Sequence, residues 1–416
     1  MAARTFDRSP WTLEPGISFL NHGSFGACPG PVLEAQRAWR DRMEAEPVRF
    51  LDRELEGHLD EARRAVAVFL HADADGLAFV PNATTGVSTV LGSLRFAPGD
   101  ELLACDHEYN ATLNALRAAA ARDGARVVVA RIPFPVSDPS QVVEAYLDAV
   151  TPRTRLALVS HVTSPTALVM PVTALVRELD RRGVDTLVDG AHAPGMVPVD
   201  LDEIGAAYWT GNAHKWLCAP KGAAVLHVRA DIRDRLRPLV VSHGGNDPRI
   251  DRSRFRLLFD WTGTADPSAC LSIPAAIRFV GGVHPDGWKG LMAANAAMAR
   301  EGRNRICAAL EVPRPAPDAM LGAMASIPLP HLAPGAAAAE RLQAALYAED
   351  RIEVPVLTFP VAGALEGGTG PASVLIRISA QRYNHPDEYA WLAERLAARL
   401  MGPSSPRSLL GRLRRG

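Results

Sequence analysis

The sequence predicts an α/β fold: a mostly parallel, seven-stranded sheet with helices on both faces, plus a smaller α+β C-terminal domain. Two observations predict it. Between about residues 77 and 230, seven short apolar runs (77–80, 102–105, 126–132, 156–160, 186–188, 206–209 and 223–228) alternate with helix-like stretches. The runs are continuously apolar rather than alternating with polar residues, which is how strands read when both faces are covered, and parallel neighbours need helical crossovers. After about residue 285 the order changes, with Ala-rich helical stretches at about 288–311 and 336–347 and isolated strands at 352–356 and 374–379.

Each element follows from local pattern. Residues 1–30 read as an irregular arm punctuated by Gly16, Gly23, Gly26 and Gly30 with Pro15 and Pro29, and Asn21 and His22 on it are candidates to line a pocket. Pro31 opens a helix with Val32, Trp39 and Met43 on one face, and Pro47 stops it. Leu51, Leu55, Leu59, Ala62, Val66 and Phe69 then form an amphipathic stripe whose role is packing. Further helices are expected after 82–86, after 106–110, and near 172–182, 268–280 and 386–401. Residues 313–334, with Pro315, Pro317, Pro328 and Pro330, read as a proline-studded connection. The domain division expected is 1–70 for the arm and first helices, 71–284 for a large domain, 285–402 for a small one, and 403–416 for a basic, disordered tail.

Composition narrows the function. The chain has 416 residues, 48% of them apolar, and a net charge of −1, so it can build a large core and carries no electrostatic case for nucleic acid or a membrane surface. Its longest apolar stretch, 155–176, is broken by Ser160, His161, Pro165 and Pro171 and cannot span a bilayer. Five scattered cysteines argue against a disulfide framework and for a reducing cytoplasm. Twelve histidines occur without metal-ligand spacing, so no metal site is expected.

The chemistry concentrates at two strand ends. Lys215 follows the apolar run 206–209, and Asp189 ends the run 186–188, where the carboxyl ends of α/β strands open onto a ligand crevice. A lysine drawn from water becomes an amine nucleophile toward an aldehyde. Lysine with a carboxylate at the neighbouring strand end is what pyridoxal 5′-phosphate (PLP) requires, the one for its Schiff base and the other for its pyridinium nitrogen. Asn82-Ala-Thr-Thr-Gly86 leads from a strand into a helix whose first amides could cradle a phosphate. Arg377, in the buried-strand pattern Leu-Ile-Arg-Ile-Ser, needs an anion, and a substrate carboxylate would supply one.

These residues also carry a resemblance. VDGAH (188–192), GNAHKWLCAPKG (211–222), DWTGTADPSA (260–269) and LIRISAQRYN (375–384) are similar to class V aminotransferase-fold enzymes, and most of all to the isopenicillin N epimerase group. FLNHGSFGACP (19–29), DHEYN (106–110) and SHVTSPTALVMP (160–171) fit the same group, so the likeness runs from about 17 to about 400. It implies PLP fold type I, the aspartate aminotransferase-like arrangement. It implies Lys215 as Schiff-base lysine and proton shuttle, Asp189 at the ring nitrogen, and His192 and Ser164 near O3′ or the ring edge. It implies Tyr109 or His107 over the ring, and Ala83, Thr84, Asn212 and His214 at the phosphate. Thr264 would reach the phosphate of the other subunit, so a homodimer with shared sites is expected. Arg377 would hold the substrate carboxylate. Epimerisation or racemisation at Cα needs a second proton donor, for which Tyr109, His107 and His22 are candidates. A C–S β-lyase uses the same groups and is the alternative. Transamination and a PLP-binding protein without turnover remain further readings. A cysteine desulfurase is disfavoured, because residues 308–416 contain no Cys to serve as the persulfide carrier. Ala167 departs from the glycine expected after Ser-Pro-Thr, which bears on the backbone there.

Overall fold

The structure is a computed structural model, and it describes residues 8–360 and 373–401. Seven strands form the main sheet: β1 (Leu77–Val80), β2 (Glu101–Cys105), β3 (Arg126–Ala130), β4 (Thr154–Ser160), β5 (Asp185–Asp189), β6 (Tyr208–Asn212) and β7 (Ala224–Val228). Their order across the sheet is β1-β7-β6-β5-β4-β2-β3. The pairs β2/β3, β2/β4, β4/β5 and β5/β6 are parallel, whereas β7 is antiparallel to both β6 and β1. Parallel neighbours are joined through helices, whereas the antiparallel pair β6/β7 needs only the short connection that carries Lys215.

Alternate residues of one strand feed two cores. Leu102 and Ala104 of β2 pack with Val87, Leu113 and Phe255 on one face, and Leu103 and Cys105 pack with Tyr146, Val159 and Leu175 on the other. The sheet is therefore covered on both sides, and its carboxyl edge is left to hold the site. In register, Ser160 at the end of β4 stands beside Asp189 at the end of β5. The helix Ala83–Ser93 rises from the end of β1 and packs so closely on β6 that a Cβ on Gly86 would meet Thr210 Oγ1 at 2.2 Å.

The smaller C-terminal domain is a three-stranded antiparallel sheet, Val356–Phe359, Ser373–Ser379 and Met324–Pro328 in that order, with the helices Gly287–Ala309, Ala336–Asp350 and Pro386–Leu400. The N-terminal arm is tied to it, for Ser18–Phe19 pairs in parallel with Ile352–Glu353.

Four details differ from the sequence expectation. The strand Met324–Pro328 lies inside the segment read as a proline connection; Pro328 is its last residue, where a missing amide costs least. Leu51 sits in a π-helical turn, Arg49–Glu54, that precedes the helix Leu55–Leu70. The helix expected at 268–280 is two, Ser268–Leu271 and Ile273–Gly281, with a proline in the first turn of the second, where its missing amide does no harm. A helix at Ser140–Asp148 had no counterpart in the sequence reading. The tail at 403–416 lies outside the described residues. Among the described residues no helix is long and apolar enough to cross a membrane.

Candidate active site

A cavity of about 520 Å³ opens at the carboxyl edge of the sheet, with Lys215, Asp189, His192 and Asn212 in its walls. Lys215 Nζ lies 3.2 Å from His192 Nε2, and Trp216 Nε1 lies 3.4 Å from His192 Nδ1. An indole can only donate, so Nδ1 accepts and the imidazole proton sits on Nε2, facing the amine. That arrangement suits a neutral amine. Burial, and then the charge of Arg377, pull the Lys215 pKa down to about 7, while Asp189 opposes the shift. Burial first, then Lys215, also holds His192 well below the usual imidazole range. The lysine is thus poised as a base and nucleophile at neutral pH.

Asp189 accepts a 2.9 Å hydrogen bond from the Ala191 amide through Oδ1 and lines the cavity. Burial raises its pKa, opposed by that amide and by Lys215. A second carboxyl stands behind it. Glu108 is fully buried and accepts from the Ser160 amide (2.9 Å), Ser160 Oγ (2.6 Å) and Tyr146 Oη (3.3 Å). Burial, with the charge of Asp189 adding to it, pushes the Glu108 pKa up to about 7. Ser160, which lines the cavity, thus holds Glu108 and stands beside Asp189 in the sheet.

The helix Ala83–Ser93 points its N-terminus at the cavity, and Ala83, Thr84 and Asn82 line it. Asn82 caps the helix by accepting from the Thr85 amide (2.8 Å), and the Ala83 amide donates to Asn212 Oδ1 (2.8 Å). The Ala83 amide is thus engaged with protein, and Asn212 instead offers its amide nitrogen. His214 also lines the cavity, with its Nδ1 donating to the Ala223 carbonyl at 3.0 Å.

Arg377 stands just behind the wall. Its Nη1 donates to the carbonyl and hydroxyl of Ser164 (2.7 and 3.0 Å) and its Nη2 to Ser24 Oγ (3.0 Å), and both serines line the cavity. Its Nε has no partner, and among the described residues no carboxylate pairs with this buried guanidinium, whose pKa burial pulls down to about 10. Ala167, in the turn after Ser164, has φ +57°, so a non-glycine residue holds the left-handed conformation that the sequence pattern anticipates.

The structure does not bring every expected residue into the cavity. His107 is fully buried, with Nδ1 on Thr166 Oγ1 (2.7 Å) and Nε2 on the Ile132 carbonyl (3.0 Å), edge-on to Phe359. With both nitrogens used inside the core it cannot cover a ring in the cavity, unlike Tyr109, which is half exposed and lines it. His22 is likewise closed off, between Tyr383 Oη (2.8 Å) and the Lys215 carbonyl (3.1 Å), and burial drives its pKa down to about 3. Asn21 reaches Glu353 (2.8 Å) and Ser24 (2.5 Å) rather than the cavity. Thr264 is exposed and outside the lining of its own cavity. Ser24, Phe25, Ser160, Glu108 and Lys221 belong to the site and were not singled out from the sequence; the Gly-Ser-Phe-Gly turn after His22 was the available signal for the first two.

Comparison with known proteins identifies the family. Residues 27–299 match the family described as aminotransferase class-V. An isopenicillin N epimerase of Amycolatopsis lactamdurans is 39% identical over 401 residues, covering 94% of this chain and 96% of that protein. The chain belongs to the class-V aminotransferase family. A second class-V relative, a probable chloroplastic L-cysteine desulfhydrase of Arabidopsis thaliana, is 31% identical over 397 residues, covering 90% of this chain and 81% of its own. Among solved structures, a lysine-to-alanine variant of C-DES with glycine covalently linked to its PLP cofactor superposes with a TM-score of 0.72 at 21% identity, covering 92% of this chain and 96% of that one.

As a class-V member the chain is a PLP-dependent enzyme. The donor set fits the cofactor. A buried amine of depressed pKa can condense with an aldehyde, a buried carboxylate at the next strand end can face a ring nitrogen, and a helix N-terminus can face a phosphate.

Proposed function

We propose that the protein epimerises or racemises an amino acid, or an amino-acid conjugate, at Cα. The observation that carries this reading is one cavity shared by Lys215, Asp189 and Tyr109, backed by a buried Arg377 that has no carboxylate among the described residues. When bound, PLP supplies an electron-accepting ring that acidifies the Cα–H bond of the amino acid attached to it. Asp189 would hold the ring nitrogen's proton. Thr84, Asn212 and His214 would hold the phosphate, joined by Thr264 of the partner subunit in a homodimer. Ser164 and His192 would border the ring. Arg377 exchanges its Ser24 bond for the substrate α-carboxylate and so orients the Cα–H bond.

Lys215 Nζ takes the Cα proton, and the amine's pKa near 7 lets it hold and return that proton at neutral pH. Inversion needs a second donor. Of Tyr109, His107 and His22, only Tyr109 lines the cavity, so its hydroxyl is assigned that role. The experiment is incubation with single L-amino acids in D2O. The expected result is deuterium at Cα together with D-product; retained configuration without D-product overturns the reading. Tyr109→Phe is expected to slow inversion by roughly 10²-fold or more while Cα exchange continues, and Lys215→Ala is expected to abolish both.

A second reading is favoured by the L-cysteine desulfhydrases among the relatives. Lys215 would take the same Cα proton, and a thiolate would then leave Cβ. Release of sulfide and pyruvate from L-cysteine in the same assay selects it.

A further inference from the structure

Lys221 lines the cavity on the same β6–β7 connection as Lys215. Its ammonium donates to the Gly26 carbonyl at 3.1 Å, and among the described residues no carboxylate pairs with it. The carbonyl is a fixed anchor. Gly26 has φ +70°, and a Cβ there would stand 2.3 Å from the His214 carbonyl and 2.8 Å from Lys215 Cα, so the arm lies tightly against this loop. Gly222, immediately after Lys221, has φ +95°, which turns the chain back into β7.

The charges around the cavity do not balance. Lys221 lines it and Arg377 backs it, and Lys215 adds a charge whenever its amine is protonated, against the single lining carboxylate Asp189. Lys221 stands close enough to His214 and His22 for its charge to depress both imidazoles. Its own pKa is lowered by desolvation, and no carboxylate opposes that shift. Lys221 is solvent-exposed, so its charge carries little burial cost; together with Arg377 behind the wall it makes a positive field at the cavity that favours an anion there. One anion, the substrate carboxylate, already answers to Arg377 in the reading above. Lys221 calls for another.

We propose that Lys221 is an anion-binding residue of this cavity, its ammonium taking an oxyanion carried either by the cofactor as its phosphate or by the substrate as a second acidic group on its side chain. The second source rests on the amino-acid reading; the first does not.

The test uses the full-length PLP-loaded protein and the variants Lys221→Met and Lys221→Arg. Cofactor retention is followed as loss of the bound-PLP absorbance during dialysis, with inorganic phosphate as competitor during reloading. Substrate binding is followed as the spectral titration by L-glutamate and by L-alanine. If the anion is the phosphate, Lys221→Met loses PLP about tenfold faster and inorganic phosphate competes less well. If the anion is on the side chain, retention is unchanged and the glutamate-over-alanine preference falls about tenfold. Lys221→Arg restores most of either loss. The proposal is overturned if Lys221→Met matches the parent protein in both measurements. If neither amino acid perturbs the parent spectrum, neither is a substrate, and the retention measurement alone decides for or against Lys221.

Discussion

Two clusters of buried and half-buried charge sit in this molecule, and they are built differently. Beneath the helix Leu55–Leu70, Arg63, Arg252 and Arg256 interlock with Glu56, Asp60, Asp75 and Asp260. Arg63 alone donates to Asp60, Asp260 and the Leu77 carbonyl. Around the cavity, by contrast, Lys215, Lys221 and Arg377 face one lining carboxylate, and Arg377 meets only serines and a carbonyl, with its Nε left over. In the first cluster every guanidinium meets a carboxylate of the chain, although Arg256 Nε and Asp260 Oδ2 make no hydrogen bond, and the pairs hold elements together. The second is complete only when something negative arrives, and that asymmetry marks a site where the mere presence of charge does not.

Substitutions should pull the two clusters in different directions. Arg63→Met leaves Asp260 buried without its closest partner and is expected to cost about 3–5 kcal/mol in urea denaturation; a loss below about 1 kcal/mol would mean the balanced cluster is not structural. Lys215→Met should act through pH. Unfolded, the amine titrates at 10.5, and folded at about 7, so the unfolded chain binds more protons between those values. Stability of the PLP-free protein therefore rises with pH from about 7 toward 10.5, by up to about 1.4 kcal/mol per unit, and Lys215→Met removes that rise. A parent protein with no such slope would break the contrast.

Glu108→Gln probes the same cavity with the opposite sign. The carboxyl titrates at 4.5 unfolded and about 7 folded, so the folded chain binds more protons across that window and stability falls as pH rises through it. Glu108→Gln should flatten that fall, read as Tm against pH. The smallest effect is expected at Ala167→Gly, which relieves a left-handed alanine and should stabilise the protein by about 1 kcal/mol. A loss instead would show that the methyl packs where the turn needs it.

The sheet was legible because each strand is a short apolar run flanked by turn residues. Asp189 was legible because it ends such a run, and Lys215 because it follows one within a short loop. What could not be read depends on contacts far apart in sequence. The bond from Arg377 to Ser24 spans 353 residues, and no local pattern announces it. Glu108 sits between His107 and Tyr109 in one motif, yet the three side chains go to different places: the core, the back of Asp189 and the open cavity. Such divergence follows from the turn at the end of β2, where one residue of rotation redirects a side chain altogether. The strand Met324–Pro328 was hidden by its flanking prolines, since its burial is set by the helices and strand it meets rather than by its composition.

The arm near the N-terminus has one further consequence. Residues 18–19 are stitched to 352–353 in the smaller unit, and a few residues later Gly26 leans on the backbone at 214–215. This short strap joins the part of the molecule that carries Arg377 to the loop that carries the reactive amine. On the roles proposed for Arg377 and Lys215, a swing of the smaller unit toward an incoming substrate would draw on that loop through the strap, and grip on the substrate would be geared to placement of the base.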